Sequence, residues 1–194
     1  MSDRAIQWGM IGTGNVTELK SGPAFSKIPG SKLVAVANRT PEKAEDYAKR
    51  HGIGTCHTDP MDLVHDPQVE AVYIATPPQS HPEYALACIK AGKPVYLEKP
   101  MALSYEECLV INEAAEKAGV PVYVAYYRRA LDYFQKIKEI LEEEKLGEIL
   151  HINMQQYFPS REEDSDQSNP PWRVIPEISG GGYFHDVGCH ALDI

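Results

Sequence analysis

The sequence predicts an α/β fold: a doubly wound domain built on a parallel sheet, followed by the start of a second, α+β domain. Short apolar runs alternate with helix-forming segments through residues 5–125. Such alternation is typical of parallel strands joined by right-handed crossovers. A glycine-rich turn directly follows the first apolar run, as in domains that bind a dinucleotide. We therefore predict a dinucleotide-binding domain at residues 1–126 and part of another domain at residues 127–194.

Each strand is predicted from an apolar run and each helix from the signals at its ends. The apolar runs cover residues 5–11, 32–37, 54–57, 71–75, 94–97 and 121–125. Helices are expected over residues 16–28, 41–50, 81–91 and 105–118, with a further one starting at residue 60. A proline at the first helical position, or a glutamate three residues after a serine, marks their starts. The predicted N-caps are Thr40, Asp59, Ser80 and Ser104.

The chain after residue 126 contains fewer elements. We predict a helix over residues 131–145, a long strand over 148–158 and a polar loop over 161–171. The last fifteen residues begin with three glycines and are expected to continue as a helix. Because a single strand cannot form a sheet, we expect the rest of this domain to lie outside the chain.

The composition narrows the class of protein. A net charge of −9 over 194 residues argues against a nucleic-acid partner, which calls for a basic face. The N-terminus lacks a signal-peptide pattern, and no apolar stretch is long enough to span a bilayer. The four cysteines lie far apart, with no Cys-x-x-Cys pair. We therefore expect reduced thiols, a cytoplasmic protein and no membrane partner.

The motif GTGNVT predicts a nucleotide-binding turn. Gly12 permits the tight turn, and Gly14 lets backbone amides approach a pyrophosphate where Asn15 and Val16 begin the helix. Thr17 occupies the position of the usual third small residue, so helix and strand are expected to lie slightly further apart. The alternative is a glycine-rich turn with a purely structural role. The surrounding strand-helix-strand pattern favours the binding of a dinucleotide.

The residues after the second strand bear on which dinucleotide binds. An acidic residue there normally bonds the ribose 2′-hydroxyl of NAD, whereas this chain has Asn38 and Arg39. Without a carboxylate a 2′-phosphate is not repelled, and Arg39 is able to pair with it. This favours NADP(H) over NAD(H). Alternatively, Arg39 lies across the adenine while Asn38 bonds an unphosphorylated ribose.

Two further motifs carry chemistry. Glu98-Lys99-Pro100 follows the fifth strand, at the sheet edge where ligands bind in such folds; a solvated surface lysine is the plainer alternative. Asp186 and His190 stand four residues apart in the expected terminal helix, which suits a carboxylate that tunes a general base. A metal site that also includes His185 is set aside, because on a helix that side chain points away from the other two.

Together these motifs resemble the glucose-fructose oxidoreductase, inositol dehydrogenase and rhizopine-catabolism (Gfo/Idh/MocA) family, whose first domain is a Rossmann domain. The resemblance runs from the glycine turn to Asp193. It includes the Glu-Lys-Pro tripeptide and the terminal pattern Gly-Gly-Gly … Asp-x-Gly-x-His-x-x-Asp. The departures are Thr17, the missing acid at Asn38 and the end of the chain at Ile194. The other matching residues are Thr76, Pro77, His81, Trp172 and Arg173.

The resemblance implies roles for these residues. Lys99 is expected to bond the reacting substrate oxygen and the nicotinamide ribose, Asp186 to bind and orient the substrate, and His190 to exchange the hydroxyl proton. Trp172 and Arg173 are expected to contact a sugar-like substrate. The remaining cofactor contacts are expected from Gly12, Gly14, Asn15, Val16, Asn38, Arg39, Thr76, Pro77, His81 and Glu98.

The function that the resemblance implies is hydride transfer between NAD(P) and a sugar, polyol or cyclitol hydroxyl, in a homo-oligomer when the chain is full length. One alternative is a glycosidase that uses bound NAD for transient oxidation. Another is a non-catalytic, cofactor-sensing regulator, which should lack the lysine or the histidine. This chain has both. We expect the 194-residue chain itself to be inactive on its own.

Overall fold

Six short strands form one parallel sheet in the computed structural model, which describes residues 4–159 and 161–194. The strands are β1 (Ile6–Ile11), β2 (Ser31–Ala37), β3 (Thr55–His57), β4 (Ala71–Ile74), β5 (Val95–Leu97) and β6 (Val122–Val124). Their order across the sheet is β3-β2-β1-β4-β5-β6. The order therefore reverses between β1 and β4, which is the position of the ligand crevice in doubly wound sheets. The predicted fold class is confirmed.

Helices connect these strands and begin close to the predicted positions. They are α1 (Asn15–Leu19), α2 (Ser21–Lys27), α3 (Pro41–His51), α4 (Pro60–His65), α5 (His81–Lys90) and α6 (Tyr105–Ala118). Every predicted strand of this unit is present within two residues of its expected ends. The agreement follows from local signals, because each strand is a short apolar run that ends at a turn.

Hydrophobic residues cover both faces of the sheet. Successive side chains of a strand point to opposite faces, and Met10 and Ile11 on β1 accordingly enter different core clusters. Tyr73 and Ile74 on β4 divide between the same two clusters. All four are almost fully buried. The central strands therefore have no solvent face, as expected for a parallel sheet enclosed by helices.

The helix predicted over residues 16–28 is wrong in one respect: it is broken at Lys20 into α1 and α2. Pro23 lies in the first turn of α2, where its missing amide costs no helical hydrogen bond. Gly22 passes so close to α1 that an added Cβ would lie 2.1 Å from the carbonyl oxygen of Thr17. One continuous helix would lose a bond at Pro23, so the chain starts a second helix there.

Two of the four predicted N-caps form hydrogen bonds. The Asp59 carboxylate accepts from the amide two residues later at 2.8 Å, and the Ser104 hydroxyl accepts from the amide of Glu107 at 3.2 Å. Thr40 and Ser80 occupy N-cap positions without a side-chain cap bond. A one-turn 3-10 helix precedes α5, and the Ser80 hydroxyl donates within that turn instead.

The chain divides into two compact units, of which the first ends at Ala125 and the second covers Tyr126–Ile194. The second unit contains α7 (Asp132–Glu142), α8 (Pro176–Ser179), a π-helical turn at Phe184–Gly188 and α9 (Cys189–Asp193). Short 3-10 turns lie at Tyr127–Ala130, Glu162–Ser165 and Trp172–Val174. None of the described helices is long and apolar enough to cross a membrane.

The strand predicted over residues 148–158 is not formed. Residues 149–159 are irregular, and Leu150 and Ile152 are 86% and 73% exposed. A strand requires a hydrogen-bonded neighbour, and the described residues of the second unit contain no other strand. The segment predicted as a strand thus has no strand to pair with among the described residues of the second unit.

Candidate functional site

The turn after β1 requires its first glycine. Gly12 has φ +100°, and an added Cβ would lie 2.8 Å from the carbonyl oxygen of Ala75. Its amide donates to the carbonyl of Ala37 at 2.8 Å. The turn is therefore held between β2 and β4, which places it directly at the point where the strand order reverses.

The second glycine lies in open space. An added Cβ at Gly14 would meet no protein atom within 4 Å, and the amides of Thr17 and Glu18 donate to the Gly14 carbonyl. The preceding amides of Asn15 and Val16 lie in the first turn of α1, where a helix offers donors to an anion. This turn fits the pyrophosphate of a dinucleotide.

Thr17, which replaces the usual third small residue, is fully buried. Its hydroxyl donates to the Gly14 carbonyl at 2.7 Å, and its own carbonyl accepts from the Tyr47 hydroxyl at 2.9 Å. The hydroxyl is thus satisfied inside the turn, so the threonine is accommodated without an unpaired polar group.

Asn38 and Arg39 follow β2 on the same edge of the sheet. The Asn38 side-chain oxygen accepts from the amide of Thr40 at 2.9 Å, and its nitrogen donates to the Thr13 hydroxyl at 2.8 Å. These two bonds fix the orientation of the amide group and turn its NH₂ toward the glycine turn. Arg39 is exposed. No carboxylate side chain belongs to this pair of residues.

Thr76 and Pro77 follow β4, and the structure places His81 behind them. His81 is fully buried, with Nε2 2.8 Å from the Thr76 carbonyl oxygen and Nδ1 2.9 Å from that of Pro100. Both ring nitrogens therefore lie against backbone carbonyls, and the contact of His81 with the cofactor stays a prediction. The ring braces the loop after β4 against the loop after β5.

Glu98 and Lys99 follow β5 at the same edge. The Glu98 carboxylate accepts from the Tyr73 hydroxyl at 2.6 Å and from the amide of Lys99 at 3.3 Å. Lys99 is half-buried and precedes a cis peptide bond to Pro100. The structure thus places at one sheet edge all the predicted residues that follow β1, β2, β4 and β5.

The second unit holds the other predicted residues. The Arg173 guanidinium lies 4.5 Å from the centre of the Trp172 ring, and its Nε donates to the Asp186 carboxylate at 2.8 Å. Three residues that the sequence predicted separately as substrate contacts therefore form one connected group. Their roles toward a substrate remain predictions.

His190 is 5% exposed and packs edge-on against Tyr126 and Tyr127, with ring centres 6.0 and 5.3 Å away. The terminal segment is helical as expected, but Asp186 lies in the π-helical turn and His190 in α9. The spacing was predicted for an α-helix throughout. π-Turns inside helices are frequent at functional sites.

Sequence reasoning missed several residues at these positions. Thr13, which bonds Asn38, and Tyr73, which bonds Glu98, were not predicted. Thr13 lies inside the glycine motif, whose position in the sequence marks it as a neighbour of the site. Tyr73 is one of four consecutive buried residues of β4, and the strand pattern does not distinguish a hydroxyl that packs from one that also donates.

Two models of protein families match the sequence of this chain. A family model described as an oxidoreductase family with an NAD-binding Rossmann fold matches residues 6–126. The model of a Gfo/Idh/MocA C-terminal domain matches residues 134–194.

Individual relatives agree. An oxidoreductase from Formosa agariphila is 47% identical over 97% of this chain and 59% of its own length. The scyllo-inositol 2-dehydrogenase (NAD⁺) of Bacillus subtilis is 27% identical over 99% of this chain and 53% of its own length. The chain thus spans about half the length of the curated relatives it matches.

A solved structure of levoglucosan dehydrogenase in complex with NADH and L-sorbose is also similar. It superimposes with a TM-score of 0.85 and 27% identity, over 98% of this chain and 52% of the other. The fold, the site residues and the two family models lead to one conclusion: the protein belongs to the Gfo/Idh/MocA family of oxidoreductases.

Proposed function

We propose that the whole protein transfers a hydride between a nicotinamide dinucleotide and a hydroxyl-bearing carbon of a sugar, polyol or cyclitol. The observation that supports this best is the shared sheet edge, where the glycine turn, Asn38-Arg39, Thr76-Pro77 and Glu98-Lys99 follow four neighbouring strands. When bound, the nicotinamide supplies the acceptor or donor of the hydride. The substrate class follows relatives that act on inositol and levoglucosan.

The reaction also moves a proton, and the chain offers groups for it. Oxidation of an alcohol removes a hydride from carbon and a proton from oxygen. We assign His190 as the base that takes this proton, Lys99 as the donor that bonds the reacting oxygen, and Asp186 as a ligand of substrate hydroxyls. The Arg173 contact holds the Asp186 carboxylate in place, which suits a group that orients a substrate.

The cofactor is proposed to be NADP(H) in preference to NAD(H). A carboxylate after β2 would repel a 2′-phosphate; here the position holds Asn38, whose amide presents NH₂ on the side of the glycine turn. Arg39 beside it is exposed and carries the charge that a phosphate requires.

The test is a redox assay of the whole protein with both cofactors against a panel of sugars, polyols and cyclitols. Expected is a change of nicotinamide absorbance with at least one substrate, larger with NADP⁺ than with NAD⁺. Cleavage of a glycoside without net absorbance change would replace this proposal by a glycosidase. Tight dinucleotide binding with no reaction across the panel would indicate a regulator.

A further inference from the structure

Tyr73 is a buried tyrosine whose hydroxyl reaches the candidate site. It is fully buried on β4, and its ring packs against those of Phe25 and Tyr96, with centres 5.2 and 5.4 Å away. Its hydroxyl oxygen lies 2.6 Å from the Glu98 carboxylate and 2.8 Å from the Ser21 hydroxyl. A packing role alone would be met by phenylalanine, so the hydroxyl needs its own explanation.

The direction of these hydrogen bonds follows from the number of protons. Burial, reinforced by the charge of Glu98, raises the pKa of Tyr73 far above its usual range, so the hydroxyl keeps its single proton. An ionised carboxylate only accepts, and the 2.6 Å contact is the shorter of the two. Tyr73 therefore donates to Glu98. The Ser21 hydroxyl has one proton and two acceptors within reach, the Tyr73 oxygen at 2.8 Å and the Val16 carbonyl at 3.2 Å.

The second carboxylate oxygen of Glu98 also has a partner. Glu98 Oε2 accepts from the backbone amide of Lys99 at 3.3 Å, while Oε1 accepts from Tyr73. Two donors thus converge on two different oxygens of one group. A carboxylate accepts at both, whereas the amide of glutamine has a single oxygen and satisfies only one of the two donors.

We propose that Tyr73 is a positioning residue of the reaction edge, because its hydroxyl holds the Glu98 carboxylate and that carboxylate holds the backbone of Lys99. The hydrogen bonds themselves do not depend on the proposed function; only the expected effect on turnover rests on it. Ser21 begins α2, the helix that follows α1 and the glycine turn, and its hydroxyl lies 2.8 Å from that of Tyr73.

The direct test is amide hydrogen exchange at Lys99, followed by NMR in this chain. Tyr73→Phe removes one hydroxyl and keeps the packed ring, and it should speed exchange of the Lys99 amide at least about tenfold, the effect of losing one hydrogen bond to a charged group. The matched control is Tyr96→Phe, which removes a hydroxyl from the stacked neighbour on β5. Unchanged Lys99 exchange in Tyr73→Phe, or equal acceleration in both variants, would overturn the proposal.

A second measurement in the whole protein separates positioning from general stability. Tyr73→Phe should lower kcat roughly tenfold while the Kd of the dinucleotide changes less than about twofold, and Glu98→Gln should lower kcat by a similar factor. Tyr96→Phe should leave kcat unchanged. Equal losses of kcat in all three variants would mean a merely structural role. A wild-type protein without turnover would sink the proposed function, while the exchange result would still decide the role of Tyr73.

Discussion

Arg39 is the residue on which we expect the cofactor preference to depend. Losing one charge-assisted pair with a phosphate costs about 1.5–3 kcal/mol, roughly one to two decades of affinity. Arg39→Ala should weaken NADPH by that much and leave NADH nearly unchanged, measured by fluorescence titration. Lys49→Ala, which removes the same charge from the far end of α3, should change neither. Equal losses for both dinucleotides would mean that Arg39 stacks on the adenine.

His190 carries the second prediction at this scale. Removing a general base costs about 10²- to 10⁴-fold in rate, so His190→Ala in the whole protein should lower kcat by that factor and leave dinucleotide binding intact. Steady-state kinetics and a binding titration measure the two effects. The control is His185→Ala, in the preceding π-helical turn. A near-normal rate in His190→Ala would contradict the role of base and assign the ring a packing role beside Tyr126 and Tyr127.

The sequence could point to single residues where a motif marks their position, but not where only a contact with a distant residue distinguishes them. The glycine turn, Asn38 and Glu98 stand at marked positions in the chain. The partners Thr13 and Tyr73 become visible only when strands distant in sequence lie side by side. The contact of His81 was equally hidden, because nothing in the sequence around it indicates that its ring will lie against the carbonyl of Pro100.

The turn between β1 and α1 contains two glycines with different tasks. Gly12→Ala should destabilise the fold by about 1–3 kcal/mol, because it strains a positive φ and drives a Cβ toward the Ala75 carbonyl. Gly14→Ala meets no protein atom and should change stability by less than about 0.5 kcal/mol. It should nevertheless weaken the dinucleotide at least about tenfold by blocking its approach. Urea unfolding and cofactor titration of both variants separate the two roles; the same profile for both would contradict them.

The contact between Glu18 on α1 and Arg50 on α3 should make the free energy of unfolding depend on pH. Hydrogen bonds from Arg50, aided by His51, lower the pKa of Glu18 from 4.5 to about 2. Since the folded-state pKa is the lower one, this stabilisation is present above pH 4.5 and is lost as the pH falls toward 2. The pair is partly exposed, so the effect is small.

Urea unfolding between pH 7 and pH 3 measures how much the Glu18 contact contributes to the free energy of unfolding. Glu18→Gln should be slightly less stable than the wild type at pH 7, with the difference shrinking below pH 4.5. The exposed Glu113→Gln on α6 is the control and should behave as the wild type. A difference that stays constant over this range would show that the ion pair is not its cause.

Elements were predictable to the extent that their signals are local. Apolar runs gave all six strands of the first unit, and Asp59 and Ser104 form the caps that their spacing predicted. The break at Lys20 depends on how closely Gly22 passes the preceding turn. Residues 148–158 were predicted as a strand, but residues 126–159 and 161–194 hold no strand beside which they pair, and no single segment of sequence contains that information.

The 194-residue chain is expected to bind a dinucleotide but to turn over a substrate poorly. The cofactor edge lies entirely in the first unit, which encloses its sheet in two core clusters. Asp186 and His190 lie on short helical segments of the second unit, which also contains an irregular stretch with exposed apolar side chains. A misplacement of about 1 Å can cost 100-fold in rate. Titration with NADPH and a parallel assay of sugar oxidation should show binding with negligible turnover, and turnover comparable with that of the whole protein would refute the expectation.

The ring of His81 has a consequence for protein engineering. One imidazole contacts the backbone carbonyls of both Thr76 and Pro100. The loops after β4 and β5 therefore have to be exchanged together. A graft of the Glu-Lys-Pro loop from another family member, or an exchange of segments between β4 and β5, would separate this loop from the residue 81 that contacts it. Residue 81 therefore has to be transferred together with the loop. Chimeras are best cut elsewhere, either before β4 or after α6.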